Sequence, residues 1–335
     1  MTKQATMRTR GTGDRTGGGR ADRIPSGLRA LAVASTLAML VVVIAGAVVT
    51  NTGSGHGCGN SWPLCHGTLF PQWTLPAMIE FGHRVVTGLA GLLLVPLAVW
   101  SWRRGDAEAR RLLLFGLAFV VVESFLGAAA VLWGEPTAML ALHFGISLLA
   151  FTGIWLLTAS LLQGEEARRR RSRPVPARFR RLGWASAAAV YGTIYLGAYV
   201  QHTGSGGACG GWPLCQGALV PPLVGHPAVE FAHRLAALVT TLLLLAFLLE
   251  GRRLRPSRPE LAHASEAAFL LMVLQVLSGG LVVLSGLVLS VKLLHITLVT
   301  LLFSAISYAL LMSGPRPATQ PLERAEPAPR QAAPA

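Results

Sequence analysis

The chain has 335 residues, of which 52% are apolar and only 13% charged, outside the balance of a soluble domain. Its formal net charge is +14, from 29 basic and 15 acidic residues. The excess does not indicate nucleic-acid binding, because the basic residues fall between alternate apolar runs and no basic face is interleaved with aromatics. The apolar excess comes in blocks of about twenty residues, so a polytopic membrane protein is expected.

Residues 1–27 are rich in Gly and Arg and are expected to form a disordered basic segment. Eight apolar runs follow, each about twenty residues long, the length a helix needs to cross the hydrocarbon layer at roughly 1.5 Å per residue. Leu28 to Thr50, Phe81 to Trp102, Leu112 to Trp133 and Met139 to Leu162 make a first four-helix unit over residues 28–163. The first run lies behind a basic lead and has no clear small-residue cleavage site, so it reads as a retained helix rather than a signal peptide. Residues 164–181 are an Arg-rich linker. Leu182 to Gln201, Phe231 to Leu249, Ala267 to Leu289 and Leu293 to Met312 make a second unit over residues 182–313, and residues 314–335 are a Pro/Ala-rich tail expected to be disordered. The expected fold is an all-α integral membrane protein of eight transmembrane helices.

The basic clusters are Arg8 to Arg29, Arg103 to Arg111, Arg168 to Arg181, Arg252 to Arg258 and the tail from Arg316. By the positive-inside rule they share the cytoplasmic face. Both termini are then cytoplasmic, and the intervening cysteine-bearing loops lie outside a cell membrane.

The two units repeat each other. Asn51 to Gly55 (NTGSG) returns as His202 to Gly206 (HTGSG), Trp62 to Cys65 (WPLC) as Trp212 to Cys215, and Glu80 to Arg84 (EFGHR) as Glu230 to Arg234 (EFAHR). His143 returns as His295, and Glu123 with Gly127 returns as Gln275 with Gly279. Four helices per unit give both halves the same orientation, so the halves are pseudo-symmetric parallel repeats.

Of nine histidines, His83, His143, His233 and His295 fall inside apolar runs. An ionisable side chain at membrane depth is costly unless it faces a partner. A single such histidine is accounted for by a hydrogen bond between helices, but these four come as two matched pairs. His83 follows Pro76, and His143 follows Pro136, by the same number of residues, roughly 10 Å along the helix; His233 follows Pro227 and His295 follows Gly286 in a similar way. Zinc or copper calls for further Cys, His or carboxylate ligands, whereas a flat haem needs two axial ligands on opposite faces. One haem per pair is the reading these positions favour. Gly82, Gly88, Gly91, Gly145, Ala232, Ala236 and Ala237 leave room for a macrocycle, or serve ordinary close helix packing. Arg84 and Arg234 are candidates to pair with haem propionates, or to meet lipid headgroups. No Cys-x-x-Cys-His motif occurs, so covalent attachment is not expected.

Cys58 with Cys65 and Cys209 with Cys215 lie in the outer loops. In an oxidising compartment each pair suits a structural disulfide, with a redox-active thiol pair and metal binding as alternatives. Glu80 and Glu230 each precede a histidine by three residues on one helical face. Such an acid can orient the imidazole, handle protons at a haem edge, or merely sit at a helix amino terminus.

Over roughly residues 28–312 the chain resembles the haem A synthase family. The resemblance rests on the Thr-Gly-Ser-Gly loop with Cys58 and Trp62 to Cys65, the Glu80-x-x-His83-Arg84 motif, His143, and the second-half echoes at Cys209, Cys215, His233 and His295. It implies an enzyme that oxidises a ring methyl of haem O to a formyl group through an alcohol stage, making haem A for terminal oxidases. It further implies that His233 and His295 ligate a resident haem b, that His83 and His143 surround the substrate haem O, and that Glu80 is the acid at the reacting methyl. Cys58 and Cys65 would be the outer pair linked to activity. The implied partner is the membrane enzyme that supplies haem O, with room left for a homo-oligomer. Because both halves carry the Glu-Phe-x-His-Arg pattern, the motif itself does not choose between Glu80 and Glu230. A bis-histidine dihaem electron carrier and a haem transporter or chaperone are the competing readings.

Overall fold

The computed structural model describes residues 24–134 and 136–314, which are almost wholly helical and contain no named strand. The first half comprises α1 (Ser26–Asn51), α2 (Leu75–Arg104), α3 (Ala107–Trp133) and α4 (Thr137–Leu162). After the short α5 (Glu165–Arg170), the second half comprises α6 (Ala177–His202), α7 (Gly225–Arg253), α8 (Pro259–Leu284) and α9 (Leu289–Ser313). The disordered ends expected over residues 1–27 and 314–335 lie outside the described residues except for their innermost few, where α1 already begins at Ser26.

Local chemistry sets the helix ends. Asp106 caps α3 by accepting the Ala109 N–H at 2.9 Å. Prolines open α2 and α8, where their missing N–H costs nothing. Helix α8 stops at Leu284, short of the apolar run expected to reach Leu289. There Gly286 and Leu287 take φ values of 70° and 67°, a left-handed turn that ends the helix and starts α9.

Seven of the eight long helices are long and apolar enough to cross a membrane, and the chain is a multi-pass membrane protein. The eighth, α6, is as long, but Tyr191, Tyr195, Tyr199 and its many alanines and glycines make it less apolar. Outward faces carry exposed Leu92, Val95, Phe125, Leu242, Leu270 and Leu277, the arrangement suited to lipid as solvent.

Each half is a square of helices. In the first, α1 and α3 each pack on both α2 and α4, which leaves α2 and α4 on the diagonal. In the second, α6 and α8 each pack on both α7 and α9, so α7 and α9 take the diagonal. The halves meet along α4 and α9, flanked by the α1–α9 and α4–α6 contacts, as a twofold axis between α4 and α9 requires.

Close apolar packing is concentrated at the end away from the cysteine loops. Leu94, Leu97, Leu113, Ile154 and Leu161 fill that end of the first square, and Phe179, Leu244, Phe247, Leu261 and Ile306 fill that of the second. Buried arginines stitch the same end together. Arg171 of the linker donates to Glu108 of α3 at 2.7 Å and to the Leu311 carbonyl of α9 at 2.5 Å, so it joins the two halves. Arg258 donates to the Met312 carbonyl at 2.6 Å, satisfying another orphan acceptor at the end of α9. Toward the cysteine loops both squares open out.

Candidate functional site

The open ends of the two squares form one cavity of about 1390 Å³, lined by His83, His143, His233 and His295 together with Glu80, Glu123, Glu230 and Gln275. The four histidines occupy the four diagonal helices, α2, α4, α7 and α9. Each ring is half-buried and rests against a glycine of the adjacent helix in its own square. A Cβ added at Gly46 would stand 3.2 Å from Cε1 of His83, and one at Gly127 would stand 3.3 Å from Cε1 of His143. The same contacts recur at 3.0 Å between Gly197 and His233 and at 3.1 Å between Gly279 and His295. Glycine suits these places because even a Cβ would make the imidazole give by a few tenths of an ångström, and a larger side chain would move it further.

The ring nitrogens differ between the halves. Ser278 sits 2.8 Å from Nδ1 of His295 and itself donates to the Gln275 carbonyl at 2.9 Å, so its hydroxyl oxygen accepts the Nδ1 proton. That tautomer, assigned from the hydrogen bonding, leaves a lone pair on Nε2, which takes a hydrogen bond from the Gln275 amide at 3.0 Å. In the first half Nδ1 of His143 lies 3.2 Å from Oε1 of Glu123, and the same carboxylate oxygen accepts from Ser147. Glu123 Oε2 is buried with no partner. Thus a carboxylate attends one histidine and a neutral amide and hydroxyl attend its repeat.

Glu80 and Glu230 are almost fully buried, and each has both oxygens engaged. Oε2 of Glu80 accepts the backbone N–H of Cys58 at 2.7 Å, and Oε1 pairs with Arg84. Oε2 of Glu230 accepts the N–H of Cys209 at 2.8 Å, and Oε1 accepts from Arg234 at 2.5 Å. The guanidiniums then reach into the loops. Arg84 donates to the carbonyls of Ser61 at 2.8 Å, Pro63 at 3.1 Å and Leu64 at 2.7 Å. Arg234 donates to those of Gly211 at 2.7 Å, Pro213 at 3.1 Å and Leu214 at 3.0 Å. The arginines expected to face propionates thus line the cavity and hold the loops at the same time. Each Glu–Arg pair clamps a disulfide loop over the turn of helix that bears the histidine. Both disulfides are formed, Cys58–Cys65 with S–S 2.04 Å and Cys209–Cys215 with 1.98 Å.

These residues fit a haem. Nδ1 of His83 and His233 are buried without hydrogen-bond partners, and Nδ1 of His143 has only its 3.2 Å approach to Glu123, so these rings are under-satisfied as a ligand site would leave them. Among the described residues no three His, Cys, Asp or Glu side chains converge as a tetrahedral or octahedral metal site would need. Two imidazoles on a bundle diagonal with apolar walls between them suit a flat ring with two axial ligands. Of the small residues picked out in the sequence, Gly82, Gly88 and Gly91 have nothing within 4 Å of an added Cβ, and only Gly88 lines the cavity. Gly145 instead lets Tyr191 and Tyr195 of α6 approach α4. Gly46 and Gly197 went unnoticed in the sequence, although they repeat at the spacing that relates Thr52 to Thr203. Gly279→Val is expected to displace the His295 ring and weaken haem binding about tenfold, since overpacking costs roughly 1–3 kcal/mol. Gly82→Ala should leave binding unchanged, and titration of purified protein with haemin reads both.

The cytochrome oxidase assembly protein family model, COX15-CtaA, matches residues 29–307. A curated haem A synthase of Symbiobacterium thermophilum is 46% identical over 294 residues, covering 86% of this chain and 96% of that protein. Haem A synthases of Geobacillus kaustophilus and Shouchella clausii are 38% and 39% identical, over 92% and 85% of this chain and 98% and 97% of theirs.

Proposed function

We propose, from the premise that this chain belongs to the cytochrome oxidase assembly protein family, that it is a haem A synthase. It is an oxidoreductase of the membrane that converts the ring methyl of haem O to a formyl group through an alcohol, providing haem A for terminal oxidases. The observation that carries this reading is the doubled diagonal histidine pair opening into one cavity. A synthase must hold a resident haem and a substrate haem side by side, and two squares of the same design supply two such places.

In this reading His233 and His295 would hold a resident haem b, and His83 and His143 would hold haem O. The hydroxyl of Ser278 fixes the tautomer of His295, which puts the lone pair on Nε2, where an iron would displace the Gln275 amide. Haem b, when bound, supplies a one-electron redox centre beside the substrate. Glu80 lines the first-half end of the cavity and is the acid at the reacting methyl, while Glu230 fastens the second loop. Arg84 and Arg234, which line the cavity while holding the loops closed, are candidate partners of the haem propionates. The apolar walls exclude water from the reacting carbon.

The orientation follows from charge: the arginine-rich end, with both termini, faces the cytoplasm, and the disulfide loops face outward from the cell membrane. The squares themselves, residues 28–163 and 182–313, are the substrate half and the haem b half. The supplier of haem O is a membrane enzyme whose product enters from the bilayer, and the exposed apolar faces leave room for a homo-oligomer.

Extraction of pigment from the purified protein tests the function. Expressed in a host that makes haem O, the protein should yield haem b together with haem O, its hydroxylated form or haem A on chromatography and mass spectrometry. Haem b alone under those conditions would overturn the synthase reading in favour of a dihaem electron carrier. Unaltered haem O that exchanges freely would indicate a transporter.

A further inference from the structure

Every haem carries carboxylates that call for cations, and three long basic side chains, Arg84, Arg234 and Lys292, line the cavity. Arg84 and Arg234 are already bonded to loop carbonyls and to Glu80 and Glu230 through their terminal nitrogens. One other basic side chain, Lys292, lines the cavity, and among the described residues no hydrogen bond or ion pair engages it. Lys292 stands one turn before His295 on α9, so its Cα lies roughly 4.5 Å nearer the cysteine loops along the same helical face. It is only partly buried, and its long stem can lie along apolar wall while the ammonium stays mobile. The first half differs at this place. At the spacing that relates His143 to His295, the residue matching Lys292 is Leu140, and it lines the same cavity. The difference is reinforced at the neighbouring helices, where the first half has Glu123 and the second has neutral Gln275.

We infer that Lys292 is the cationic contact for a propionate carboxylate of the haem held by His233 and His295, a grip that the first half, with Leu140 in its place, does not have. The inference rests on the two-haem reading above and deepens it. A dianionic haem meets an ammonium and a neutral amide in the second half, and a leucine and a carboxylate in the first. The electrostatic difference favours tight retention in one half and release from the other. A synthase needs that division, because its cofactor must stay while its product leaves.

The test uses the full-length holoprotein, with transfer of haem to excess apomyoglobin as the clock. Lys292→Leu should release the second-half haem about tenfold faster, since charge-assisted hydrogen bonds are among the stronger polar contacts. Lys292→Arg should restore slow release. The leucine variant installs the residue that the first half already carries in its matching helix, so it is compatible with the fold. The decisive arm is reconstitution with haem dimethyl ester, whose esterified carboxylates carry no charge. The ester should leave wild type and Lys292→Leu at the same rate. If Lys292→Leu speeds release of the ester as much as that of haem, the lysine acts by packing or by meeting lipid headgroups, and the inference fails. Equal release of ordinary haem from wild type and Lys292→Leu also overturns it. Failure of the underlying reading looks different: His295→Ala would then leave the spectrum and stoichiometry of the haem unchanged.

Discussion

Alanine at His83 or His143 is expected to abolish conversion of haem O while the second-half haem is retained. Alanine at His233 or His295 is expected to remove that haem altogether. Loss of a hydrogen-bonding neighbour of a metal ligand already costs about 10–100-fold in affinity, so loss of the ligand itself should cost on the order of 100-fold or more. The cavity walls near these rings are largely apolar, and no spare imidazole lines the cavity except His202 at the end of α6. The measurement is the low-spin bis-imidazole optical and electron paramagnetic spectrum together with the haem-to-protein ratio. Haem b content should be unchanged in His83→Ala and absent in His295→Ala. Retention of the full spectrum in all four variants would mean that the diagonal histidines do not bind iron.

The second large effect concerns Glu80. Its two oxygens carry the Cys58 N–H and the Arg84 guanidinium in a nearly dry setting. Removing one partner of a buried ion pair costs about 3–5 kcal/mol, because the other charge is left unpaired. Glu80→Ala therefore mixes a structural loss with a chemical one, and Glu80→Gln is the cleaner probe because its amide oxygen can still accept from Cys58. Glu80→Gln should lower conversion of haem O about 100-fold while the protein keeps its haem b and elutes as folded material. Glu230→Gln should cost far less conversion and show its effect as a lower melting temperature. Chromatography of haem O, the alcohol and haem A, alongside thermal unfolding, separates the two. Equal, modest losses in both variants would make the two acids clamps alone.

The span count, the parallel repeat and the four intramembrane histidines were legible in the sequence because each is a pattern along the chain. Hydropathy, arginine spacing and the recurrence of EFGHR as EFAHR need no knowledge of which helix touches which. The diagonal placement of α2 with α4 and of α7 with α9 was not legible, since it depends on packing between helices far apart in sequence. The ring-facing glycines were hidden for the same reason: Gly46 reads as one small residue among many until His83 of the next helix is laid against it. Arg84 shows the opposite case. Adjacency to His83 suggests a propionate contact, and what the sequence hides is that the loop also folds back so that the carbonyls of Ser61, Pro63 and Leu64 accept from one terminal nitrogen of the same guanidinium. The early stop of α8 turns on the left-handed Gly286 and Leu287, which an apolar run continues straight through.

The fastening of each outer loop bears on what its sulfurs can do. Cys58 is secured by its amide to Glu80, Cys65 exchanges backbone hydrogen bonds with Thr68, and Arg84 grips the stretch between them. None of these tethers passes through sulfur. These same contacts, rather than the disulfide alone, hold the loop in place. Opening the disulfide is therefore expected to leave the loop fastened over the chamber beneath it.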